Sequence, residues 1–121
     1  MRSSSNAANG VRTHTVRLEG KEVVLINFGR YISNSTIPLD WGKENGLIPA
    51  PDDTPSAIQK AFPDLHHEIG VEEMGVVSLI KHHSEIPSAW WYKKASGVGV
   101  VLREEWMHGW RSGYWFVFSQ E

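Results

Sequence analysis

Two β-type patterns open the ordered part of the chain. In residues 13–18, Val16 and Leu18 alternate with Thr15 and Arg17, as in a strand with one wet face. Residues 21–28 instead hold consecutive apolar side chains from Val23 to Ile26, the pattern of a strand covered on both faces. Only Glu19 and Gly20 separate the runs, and glycine supplies the positive φ of a tight turn, so the spacing predicts a β-hairpin.

Residues 29–53 are broken by Gly29, Pro38, Gly42, Gly46, Pro49 and Pro51, which predicts a long connection with one helical turn near residues 39–45. Its large side chains, Tyr31 and Trp41, either anchor the loop or form part of a ligand rim. A helix should follow, with Thr54 as N-cap, Pro55 in the first turn, and Asp52 and Asp53 near the positive pole. Ala57, Ile58, Ala61 and Phe62 give it one apolar stripe until Pro63 breaks it. A further turn over residues 64–69 would stop at Gly70.

Residues 75–81, 97–103 and 113–118 read as three more strands, while residues 86–94 fit either a short helix or an aromatic loop. The expected fold class is therefore α+β, a mainly antiparallel sheet of about five strands with one or two short helices packed on one face. The last strands should be central or covered on both sides. The length, 121 residues, suits a single domain over residues 11–121, preceded by a flexible tail at residues 1–10.

Composition narrows the function classes. The chain has no cysteine, which removes disulfides, thiolate metal sites and cysteine nucleophiles. Its formal net charge is −2, and the acidic excess lies in the second half, so nucleic acid is not an expected partner. The segment Trp90-Trp91-Tyr92-Lys93-Lys94 is a local counter-argument, interleaving rings with cations as single-strand binders do. Glu85, Glu104 and Glu105 would oppose phosphate there. No run approaches the ~18 apolar residues of a membrane helix, and the polar start lacks a signal-type apolar stretch, so a cytoplasmic location is the expectation. In that setting the sequon Asn34-Ser35-Thr36 reads as chance.

Tryptophan is the unusual feature. The chain holds six, five of them between positions 90 and 115. Trp106 and Trp110 are four apart, so one helical turn would place both on one side as a stackable surface. The competing reading seals them in the core, as expected for Trp115 and for one of Trp90 and Trp91. The candidate ligand-binding set is Trp106, Trp110, Trp90, Trp91, Tyr31 and Trp41.

Histidines supply the second candidate chemistry. His66-His67-Glu68 and His82-His83-Ser84-Glu85 are similar clusters, with His108 beyond them. A metal site would take His67 and His83 together with Glu85 or His108, although no ligand spacing here is diagnostic. The same types could pair for acid–base work, His82 or His83 with Glu85, or His108 with Glu104 or Glu105. No nucleophile elbow occurs, and Gly97-Val98-Gly99 lacks the third glycine and following helix of a dinucleotide loop. No cofactor is expected. The leading expectation is a small binding domain for an apolar or aromatic ligand or a protein partner. The alternatives are a small His/Glu-dependent enzyme, with or without a metal, and a homodimeric interaction protein.

Overall fold

A computed structural model describes residues 10–72, 74–80, 89–92 and 110–120. Its strands are β1 (Arg12–Leu18), β2 (Lys21–Asn27), β3 (Leu47–Pro49), β4 (Met74–Val77), β5 (Ala89–Tyr92) and β6 (Tyr114–Gln120). Its helices are α1 (Thr36–Glu44), α2 (Thr54–Ala61) and α3 (Leu65–Ile69). This is an α+β fold around one mainly antiparallel sheet, ordered β1-β2-β6-β4-β5, with β3 also paired to β6. The expected fourth strand over residues 97–103 lies outside the described residues. The ambiguous segment before it contributes a strand, β5, which pairs antiparallel with β4.

The hairpin forms as the pattern predicts. Glu19 (φ 53°) and Gly20 (φ 81°) both sit in the left-handed region, the two-residue turn whose twist matches its flanking strands. Opposite Val16 lies Val23, and the Arg17–Glu22 pair beyond it is an exposed 3.5 Å contact. Such a pair adds at most about 1 kcal/mol. β2 is buried from Val23 to Asn27, as its unbroken apolar run requires.

β6 is the central strand, and one of its edges is shared. Its first half, Tyr114 to Phe116, pairs parallel with β4. Its second half, Phe118 to Gln120, pairs antiparallel with β3. At the junction, the Ala50 amide donates to the Val117 carbonyl (3.1 Å). The Ser78 hydroxyl donates to the Ala50 carbonyl (2.8 Å) and accepts from the Ile80 amide (3.3 Å). Ser78 and Ala50 are fully buried, so this hydroxyl satisfies backbone groups that would otherwise be orphaned where two strands end. Residues 78–80 leave the ladder for the same reason, and the strand expected over residues 75–81 is the shorter Met74–Val77.

Alternation along β2 and β6 sends apolar side chains to both faces of the sheet. Leu25, Met74, Val76, Trp115 and Val117 form one core with Ile58 of α2 and Leu65 of α3. These are the helices expected on one face. Val24, Ile26, Phe28, Phe116 and Phe118 form a second core on the other face, where Ile37, Leu39 and Trp41 of α1 pack against them. The single turn expected near residues 39–45 is thus a nine-residue helix. Pro38 and Gly42 did not break it. Pro38 occupies the first turn, where its missing N–H costs nothing. Gly42 is the point of closest approach, and a Cβ there would lie 2.5 Å from a ring carbon of Phe118.

Gly42→Ala should therefore destabilise the fold. Overpacking costs about 1–3 kcal/mol, against which better helix propensity returns about 1 kcal/mol. In urea titrations Gly42→Ala should lose stability, Gly42→Val should lose more, and the exposed neighbour Lys43→Ala should be close to neutral. A stabilised Gly42→Ala protein would show that α1 does not approach the sheet this closely.

Candidate functional site

The end of β2 organises the chain on the α1 face. Asn27 is fully buried with its side chain saturated. Its Nδ2 donates to the carbonyls of Ser112 (2.7 Å) and Tyr114 (2.8 Å). Its Oδ1 accepts from the Gly29 amide (3.0 Å) and the Arg12 guanidinium (3.2 Å). One amide thus ties the hairpin to the turn before β6 and starts the bend at Gly29, where φ is 70°. Arg12 also lies 5.1 Å from the ring centre of Trp115.

Past that bend, Ile32 and Trp110 exchange two backbone hydrogen bonds of 2.8 and 2.7 Å. The Trp110 indole Nε1 donates to the Ser35 hydroxyl (3.2 Å), one residue before α1 begins. Trp110 is 1% exposed and meets Tyr114 and Phe116 edge to face at 5.1 and 5.9 Å. Its burial matches the competing reading, in which Trp110 is sealed rather than offered to a ligand. The ring has no free face, because its apolar body fills the core and its N–H positions α1.

α1 then lays Ile37 and Trp41 beside Phe28, whose ring meets Trp41 edge to face at 6.0 Å. Trp41 packs on the core but remains half-buried. Between α1 and the end of β2 lies an open groove of about 390 Å³, lined by Val11, Phe28, Arg30, Ile37, Asp40, Trp41 and Glu44. Ile37, Asp40, Trp41 and Glu44 follow the i, i+3, i+4, i+7 spacing of one helix face. That signal was present in the sequence, but Pro38 and Gly42 hid it by reading as breaks. A second groove, about 320 Å³, lies at the hairpin end between Arg17, Lys21, Glu22 and Gln120, with no aromatic wall.

Of the expected ligand residues, then, Trp41 lines a groove. Tyr31 is 53% exposed beside Arg30 but does not line it. Trp90 and Trp91 sit in β5, opposite Val76 and Gly75. Trp106 lies outside the described residues, as do His83, Glu85 and His108 of the metal set. His67 is exposed on α3, its ring 4.0 Å from that of His66 and tilted 34° to it. Among the described residues, no three His, Asp or Glu side chains gather as metal ligands would. Among them, too, no helix is long and apolar enough to cross a membrane. Comparison of the chain with protein-family models, curated proteins and solved structures finds no match.

His66 is the one titratable group among the described residues whose pKa clearly departs from its ordinary value. It is 1% exposed, and burial holds its pKa below the ordinary 6.5. The nearby His67 lowers it further and Asp64 opposes the shift. The unfolded chain therefore takes up this proton at a higher pH than the native one does. Its contribution to stability is complete above pH 6.5 and is lost as pH falls from there toward the depressed native value, with a slope of at most about 1.4 kcal/mol per pH unit. Urea titrations between pH 7.5 and 5 should show this decline, and His66→Leu should flatten it. A His66→Leu protein with an unchanged slope would place the acid sensitivity elsewhere.

Proposed function

We propose that this domain binds a small apolar or aromatic molecule in the groove over Trp41. One observation carries the reading: a half-buried indole, backed edge-on by Phe28, forms the wall of a 390 Å³ groove. That volume is within the usual range of ligand pockets, and its lining divides between four apolar side chains, Val11, Phe28, Ile37 and Trp41, and three charged ones. Covering the exposed part of an indole returns roughly 25 cal/mol per Å² of apolar area. A one-ring ligand is therefore held weakly unless polar contacts add to it.

This reading takes Trp41 from the expected ligand-binding set and leaves Trp110 to the core, where it is 1% exposed. No observation among the described residues favours the His/Glu enzyme or the homodimer over this reading.

Nuclear magnetic resonance of the indole N–H groups tests the proposal directly. Titration with small aromatic compounds should shift the Trp41 signal first, together with amides of residues 28–30. Trp41→Leu should weaken binding at least about tenfold, since a central aromatic anchor carries a large share of the energy, while the protein stays folded by circular dichroism. Shifts confined to other indoles, or none, would remove the groove from consideration.

A further inference from the structure

The groove is not electrically neutral. Its charged side chains are Arg30 on the loop and Asp40 and Glu44 on α1. The two carboxylates stand one helical turn apart and flank the position of Trp41, and all three groups reach solvent. Glu44 is also the last residue of α1, where the helix dipole adds negative potential. The guanidinium of Arg30 donates to the neutral carbonyl of Tyr31 at 3.4 Å and keeps its charge, so the two carboxylates exceed it by one. Arg12 on β1 is outside the groove lining and is held by Asn27 and the Trp115 ring. Lys43 lies on α1 but outside the groove lining.

An aromatic surface beside an excess of carboxylate is the chemistry that holds an organic cation. The ring face attracts positive charge through its quadrupole, and the carboxylates add a Coulombic term without requiring one fixed hydrogen-bond geometry. From this charge complementarity we infer that the groove selects a small organic ammonium ion with an apolar or aromatic body, the cation lying over Trp41 between Asp40 and Glu44. This inference rests on the proposed groove reading and adds the sign of the ligand's charge to it. The carboxylates are solvated, so the preference is modest and falls with salt.

Three probes of one shape separate the two levels: benzylammonium, benzyl alcohol and benzoate, each titrated while the Trp41 indole N–H signal is followed. The cation should bind about two- to fivefold more tightly than the alcohol, the range that an exposed cation–aromatic contact supplies, and benzoate more weakly than either. The preference should shrink in 0.5 M NaCl. The double variant Asp40→Asn, Glu44→Gln should bind cation and alcohol alike while keeping its affinity for the alcohol. Equal binding of all three probes by the unaltered protein, or tighter binding of benzoate, overturns the charge inference and leaves the groove reading standing. No binding of any probe overturns both.

Discussion

The structure depends on one requirement: β6 is apolar on both faces and must be covered on both while all its backbone groups stay paired. A strand reading Tyr-Trp-Phe-Val-Phe cannot lie at an edge or face water without large cost. Its first edge is taken by β2. The second is too long for β4 alone, and β3 completes it running the opposite way. Two strand ends then meet in the interior, a place where peptide groups lose partners, and the buried Ser78 hydroxyl closes the gap. The helices follow from the same requirement. α2 and α3 seal the Trp115 face, and α1 seals the Phe116 and Phe118 face. Gly42 lets α1 approach closely enough to do so.

The proposed groove is a by-product of how that second face is closed. A line of edge-to-face rings runs from Trp110 through Phe116 and Phe28 to Trp41. Its inner members are buried, and each adds about 0.5–1.5 kcal/mol beyond its area. α1 is only nine residues long, so it spans roughly 14 Å at 1.5 Å per residue and cannot roof the face entirely. Trp41 is where the line of rings reaches water. The Phe28 ring behind it and the packing of α1 on the core hold its position.

Much of this was legible in the sequence. The alternation of residues 13–18, the unbroken run from Val23 to Ile26, the Glu19-Gly20 turn and the Ala57–Ile58–Phe62 stripe each respond to local sterics and burial, and each element stands where those patterns put it. α1 was largely hidden because Pro38 and Gly42 are poor helix residues by intrinsic preference. Tertiary position reversed their meaning, one lying in the first turn and the other against a phenyl ring. The role of Asn27 was not legible at all. A single asparagine at the end of a strand gives no sign that four partners, two of them more than 80 residues away, converge on it.

The described tryptophans show why residue type alone does not say which indoles reach the surface. Abundance near the carboxyl end suggested that some indoles there stay free, yet Trp110 and Trp115 are both sealed. Their positions in or beside the central strand decided that, since each lies within a turn or strand whose neighbours close over it. Trp41 comes from a region poor in aromatics and rich in breakers, and it keeps an exposed part because it sits on a short covering helix. Among the described residues, distance from the central strand therefore separates Trp41 from Trp110 and Trp115. The charges obey the same geometry: Asp40 and Glu44 can surround Trp41 only because they share the helix face that stays open to solvent.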